Sequence, residues 1–272
     1  MTVLNDVQNS TDNRKITINK VGLKGLKYPI VLQDRANGKQ PTIASINMYV
    51  ELPHKYRGTH MSRFIEVLNH YHKETLVDNL ENMLFELKQK LNADAAYIEL
   101  EFYYFIKKKA PVSHQESLMS YKSRFKASLG HNYCLELTAN VPITTLCPCS
   151  KEISKIGAHN QRTYVSATIR YKDFIWLEEL IEMIEKSGSS QIYSLLKRKD
   201  EKYVTETAYA NPKFVEDVVR EVAQKLSSDP RITFYKVEAE SIESIHNHNA
   251  YAMVEKSKSP NHQSHSPSIG KP

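Results

Sequence analysis

Residues 74–106 read ETLVDNLENMLFELKQKLNADAAYIELEFYYFI, and a change of period inside this stretch decides the fold class. Up to Leu91 the apolar side chains Leu76, Leu80, Met83, Leu84, Leu87 and Leu91 recur at spacings of three and four, the stripe of a helix that lays one side on a core. From Ala95 the period drops to two. Ala96, Ile98, Leu100 and Phe102 alternate with Tyr97, Glu99, Glu101 and Tyr103, as in a strand with one buried face.

Working outward, residues 26–32 and 42–52 read as strands, the second with Ala44, Ile46, Met48, Val50 and Leu52 in alternation, and a first helix is expected over 60–71. After the quoted stretch, Met119, Tyr121, Phe125 and Leu129 mark a strand over 118–129. The order is strand-strand-helix-helix-strand-strand. It repeats downstream: strands at 132–141 and 162–172, helices at 174–186 and 191–198, then strands at 231–239 and 242–252. An additional helix is expected to start at Asn211-Pro212, where Asn suits the N-cap and Pro the first helical position. Its stripe is Phe214, Val215, Val218, Val219, Val222 and Leu226.

Strand pairs separated by helical pairs imply an α+β chain of two like halves, an antiparallel sheet with helices on one face. The expected division is a flexible segment at 1–20, halves at 21–130 and 131–254, and a disordered tail at 255–272, whose His262 and His265 are given no role. No glycine-rich dinucleotide or P-loop signature occurs, and only eight glycines are present in 272 residues, so Rossmann and P-loop classes are excluded.

Hydrophobic residues make up 40% and charged residues 25%, which suits a folded globular body. Lys+Arg 37 against Asp+Glu 31 leaves a net charge of +6, compatible with an anionic small molecule. Basic residues are spread along the chain and the 16 tyrosines fall largely within alternating strands, which argues against a nucleic-acid binder. Three cysteines point to a reducing compartment and a cytoplasmic location, and no stretch is long and apolar enough for a membrane span or a signal-peptide core.

Chemistry-bearing residues gather in three places. LCPCS (146–150) puts Cys147 and Cys149 in one connection between strands, placed as nucleophile or metal ligand, with burial as small apolar side chains the bland alternative. GAHNQR (157–162) sets His159 just before a strand. ESIHNH (243–248) has His246 and His248 two apart; on a strand they would share one face beside Glu243, suited to metal ligation or proton transfer, or simply a polar strand end. Between these lie Asp200, Glu201 and Glu206, then Glu216 and Asp217, readable as loop and helix-start charge. Thiol, imidazole and carboxylate together suit zinc, iron or manganese with an open coordination position, and the spacing is too irregular for a zinc finger.

The strings LCPCSKEIS with GAHNQR, TETAYANPKFVEDVVR (205–220) and ESIHNHNAYA (243–252) resemble the prokaryotic type IB GTP cyclohydrolases of the tunnelling-fold superfamily, over nearly all of residues 20–255. The resemblance implies a bimodular tunnelling fold whose sheets form barrels on oligomerisation, here a homotetramer with active sites at subunit interfaces. It implies conversion of GTP and water to 7,8-dihydroneopterin triphosphate and formate, with a divalent metal (Zn, Mn or Fe(II)) and no organic cofactor. By match to the family's motifs, Cys147, His159 and Glu201 are metal ligands, with Glu243 and His246 as additional ones. The same match makes His246 and His248 candidates for proton transfer, Cys149 a supporting thiol, and Glu216 the anchor of the guanine edge. The chain lacks the Cys-Glu-His-His run of type IA enzymes, which leaves the metal open. The superfamily's nitrile reductase of queuosine synthesis also uses a loop cysteine and a helix glutamate, as thioimide nucleophile and anchor; the histidines near Cys147 favour the cyclohydrolase.

Overall fold

The alternating segments pair into a single antiparallel sheet in which every strand lies beside its neighbour in sequence, in the order β1 to β8. The computed structural model of the chain describes residues 7, 8, 10–71 and 75–258. The strands are β1 (Ile18–Asp34), β2 (Gly38–Leu52), β3 (Ala96–Lys109), β4 (Glu116–Leu129), β5 (Tyr133–Leu146), β6 (Asn160–Tyr171), β7 (Ile232–Ile242) and β8 (Ala250–Ser257). The helices are α1 (Met61–His70), α2 (Leu80–Leu91), α3 (Pro148–Ile153), α4 (Leu177–Glu185), α5 (Arg198–Ala210) and α6 (Val215–Ser228).

Period two places the apolar halves of the strands on one face. Ile46 pairs with Leu100 and Met48 with Ile98, and all four are fully buried. α2 packs on this face over β3 and β4, α4 over β5, and α6 over β7 and β8. The stripe read from 80–91 is the buried side of α2, where Leu80, Met83, Leu84 and Leu87 have no exposure. Before it, Leu76–Asn79 forms a short 3-10 turn, and after it Asn92 adopts a left-handed conformation (φ 49°) that closes the helix.

Among the described residues no helix packs on the opposite face. Ile43, Leu118 and Tyr251 on it are 66%, 61% and 59% exposed. β1 and β8 are the two ends of the strand order, each with one neighbour.

Three expectations require correction. Residues 191–198 do not form a helix; the helix lies just beyond, as α5, in the polar stretch read as loop. Only Ala208 among its apolar side chains is buried, so no stripe announces it. It is held by Asp200, fully buried, which accepts the backbone N–H groups of Lys197 (2.9 Å), Val112 (2.8 Å) and Ser113 (2.7 Å). The next helix, α6, starts at Val215 and not at Asn211-Pro212, with Asp217 accepting the Phe214 N–H at 3.0 Å. Asn211 instead closes α5 and donates from Nδ2 to Gly188 O at 3.1 Å. Finally, residues 243–249 form a loop between β7 and β8, so His246 and His248 are not on a strand.

At the ends, Thr11 bridges to Tyr56 and β1 begins at Ile18, while β8 continues to Ser257. Residues 1–6, 9, 72–74 and 259–272, with His262 and His265, lie outside the described residues.

Candidate functional site

β5 delivers the first site residue by running out: Leu146 ends the strand and Cys147 follows as the N-cap of α3, with Pro148 at the first helical position. The Cys147 sulfur accepts the Ser150 N–H at 3.4 Å, as an N-cap does. α3 turns the chain back into β6. There the Cys147 N–H donates to His159 O at 3.1 Å, and the His159 N–H to Ser150 Oγ at 3.2 Å. The eleven residues between Cys147 and His159 thus form a closed loop that brings the two side by side.

The entry to α6 is tied to the same point, because the Lys213 N–H donates to Leu146 O at 3.0 Å. Glu216, in the first turn of α6, is thereby set facing the β5–β6 loop. One open cavity of about 340 Å³ is lined by Cys147, His159, Gln161, Lys213, Glu216 and Glu243, among others.

Within this cavity hydrogen bonding sorts the groups. His159 Nδ1 lies 3.0 Å from Gln161 Oε1; an amide oxygen only accepts, so Nδ1 is the donor of this pair, and in the neutral ring Nε2 is the nitrogen left to bind a metal. Lys213 is bound to Glu221 and to Ser187 O (3.2 Å). Burial pushes the Glu221 carboxyl up, but hydrogen bonds from Lys213 and Lys225 outweigh it and hold it below the usual carboxylate range. The Glu216 and Glu243 carboxylates, by contrast, have no hydrogen bond or ion pair among the described residues.

The remaining candidates stand elsewhere in the single chain. Glu201, in the first turn of α5, is exposed and does not line the cavity. Cys149 is exposed on α3. His246 and His248 are exposed in the β7–β8 loop, their rings stacked with centroids 5.1 Å apart. Cys134 is half-buried on β5.

Cys147, the free Nε2 of His159 and the Glu243 carboxylate suit a borderline divalent ion in kind, as sulfur, nitrogen and oxygen donors. In number they are incomplete: among the described residues no three Cys, His, Asp or Glu side chains converge as a metal-holding group within one chain. Gln161, Lys213 and Ser241, which also line the cavity, were missed by sequence reasoning. Gln161 had a local signal, standing two residues from His159 at the start of a strand. Ser241 had none, since only the pairing of β6 with β7 brings it to the site.

Residues 4–252 match the family described as GCHY-1, type I GTP cyclohydrolase folE2. The chain is 55% identical over 258 residues to the GTP cyclohydrolase FolE2 of Geobacter metallireducens, covering 95% of this chain and 99% of that one. It is 56% identical over 255 residues to the FolE2 of Geotalea uraniireducens, covering 94% of each. Among solved structures it is similar to the uricase of Arthrobacter globiformis, with a TM-score of 0.53 over 90% of this chain and 94% of that one. At 9% identity, this likeness concerns the fold alone.

Proposed function

This chain belongs to the type I GTP cyclohydrolase FolE2 family and has the α+β tunnelling fold, and we propose that it hydrolyses GTP in the cavity lined by Cys147, His159, Glu216 and Glu243. The products are 7,8-dihydroneopterin triphosphate and formate, and the reaction is the entry step to tetrahydrofolate. The observation that carries the reading is the convergence of four separate segments, the β5 end, the β6 start, α6 and the β7–β8 loop, on one cavity holding two unpaired carboxylates.

The family is metal-dependent, and when bound a divalent ion supplies a water acidic enough to be hydroxide near neutral pH. Cys147 and His159 hold it, with Gln161 keeping His159 in the tautomer that offers Nε2. Glu201 would be its carboxylate ligand, and Glu243 and His246 would be additional ones. Because Glu201 is exposed and away from this chain's cavity, it serves the cavity of a neighbouring subunit. Zinc, manganese and iron(II) are the candidate ions.

Glu216 binds the substrate. Both its oxygens are free to accept the N1–H and 2-amino groups of guanine together, a paired donor edge that adenine lacks. His246 and His248 carry protons during formate loss and ring closure, and Cys149 is a supporting thiol close to the substrate. The assembly is a cytoplasmic homotetramer. Two features support association: among the described residues β1 and β8 each leave one edge unpaired, and Ile43, Leu118, Tyr251 and Met253 lie exposed on the face opposite the helices.

The test is to strip metal from the purified protein, restore zinc, manganese or iron(II) separately without oxygen, and add GTP. Formate and oxidised-pterin fluorescence should appear together and only with metal. Silence with every ion, from folded oligomer, would reject the assignment and return the nitrile reductase to consideration.

A further inference from the structure

Three hydroxyls meet in the core beside the cavity. Thr163 Oγ1 lies 2.7 Å from Thr145 Oγ1 and 2.7 Å from Ser241 Oγ, and Thr145 and Ser241 are 3.3 Å apart. All three residues are 1% exposed or less, and they come from three adjacent strands, β5, β6 and β7. In a largely apolar core such a group is neither required by the apolar pattern nor favoured by it.

Its placement has a pattern. Thr145 stands two residues before Cys147, Thr163 two after Gln161, and Ser241 two before Glu243. Thr145 pairs directly across from Gln161, and Thr163 from Ser241. The cluster sits where the ladders stop: β5–β6 pairing ends at Leu146 and Asn160, and β6–β7 pairing at Arg162 and Ile242. Beyond these points the β5 end keeps a backbone bond from the Cys147 N–H to His159 O and another from the Lys213 N–H to Leu146 O, and the strand ends carry the cavity side chains.

We propose that Thr145, Thr163 and Ser241 are positioning residues, whose mutually bonded hydroxyls lock the ends of three strands and so set the spacing of Cys147, the His159–Gln161 pair and Glu243. The proposal rests on the cavity being the reaction site. Each hydroxyl has one proton, and the two short contacts consume two of the three. Thr163 is the centre, because both short contacts are its own. Glu216 lies outside this device, on α6, tied to the β5 end through Lys213 and Leu146.

The test compares Thr163→Val, which keeps the shape and deletes the central hydroxyl, with Thr163→Ser, which restores it. Thr168→Val serves as control, removing the 2.8 Å Thr138–Thr168 hydroxyl contact between the same two strands away from the cavity. Measured for each are kcat, KM for GTP, thermal midpoint and metal retention against a chelator. Thr163→Val is expected to lower kcat about 10- to 100-fold, the scale of a small misplacement of reacting groups, and to weaken metal retention, with KM within about twofold. Thr163→Ser should recover both. Thr168→Val should lower the thermal midpoint and leave kcat unchanged.

Wild-type kcat and metal retention in Thr163→Val, with only the midpoint lowered, would overturn the proposal. If that variant does not fold, Thr145→Val and Thr145→Ser give the same reading from the end of the cluster. Failure of the cyclohydrolase assignment is distinguishable: the wild type would then release no formate, whereas the metal-retention comparison would still report the hydroxyls' effect.

Discussion

Replacing Glu216 by Gln gives the sharpest measure of the substrate assignment, because the side chain is exposed, unpaired and does nothing visible for the fold. Its charge interacts favourably with the start of α6, so its removal costs the helix only about 0.3–1 kcal/mol. In the site the change is larger. A carboxylate accepting N1–H and the 2-amino group makes two charge-assisted bonds; an amide offers one oxygen and turns an N–H donor toward the second donor. Losing one hydrogen bond to a charged group costs about 1.5–3 kcal/mol. At 1.4 kcal/mol per factor of ten, GTP should bind roughly 10- to 150-fold more weakly. The assay is calorimetric binding of GTP and ITP to the metal-free oligomer, with metal affinity measured separately. ITP lacks the 2-amino group, so the wild type should prefer GTP by roughly the same factor and the variant should lose most of that preference. Metal affinity should not change. Equal weakening for GTP and ITP, or none for either, would refute the pairing of Glu216 with the guanine edge.

Cys147→Ala should abolish both bound metal and formate release; full metal content in elemental analysis would remove Cys147 from the shell. Gln161→Leu removes the acceptor that holds the His159 Nδ1 proton, and metal affinity, read by chelator competition, should fall about 10- to 100-fold. Arg231 lies 2.7 Å from both Asp229 and Glu179, and its hydrogen bonds hold both carboxyls below their ordinary range. Depressed carboxyls stabilise the fold above their unfolded pKa, and this contribution is lost as pH falls through the lower folded values. Arg231→Leu should therefore reduce stability at neutral pH and flatten the acid limb of a denaturation profile between about pH 5 and pH 2. An acid limb as steep as in the wild type would count against it.

How much was legible follows from where each element draws its stability. α2 and β3 could be read because their burial is periodic: Leu80, Met83, Leu84 and Leu87 lie under the sheet, as do Ala96, Ile98 and Leu100. α5 could not, because it is held by the buried Asp200 carboxylate and the turn at 112–113, a contact 87–88 residues apart in sequence. Asn211-Pro212 misled for a related reason. The same dipeptide suits a helix start or the junction after a helix end, and the bond from Asn211 to Gly188 chooses the latter.

The site divides the same way. Cys147 and His159 are joined by one short loop, so their meeting is a local property that thirteen residues of sequence carry. Glu216 and Glu243 reach them only through the register of β5, β6 and β7 and the bond from Lys213 to Leu146. His246 and His248 were expected on a strand; they lie in a loop, where their stacked rings, not strand alternation, set their relation. By itself, then, the sequence determined what repeats locally: the two periods, the succession of strand pairs and helices along the chain, the family strings and the thiol–imidazole pair. Tertiary structure alone decided which distant residues share the cavity and which stay outside it, as Glu201 does. The physical reason is that a period reports the side a residue turns to the core, whereas a site depends on register and strand-end contacts between segments whose sequences carry no mark of one another.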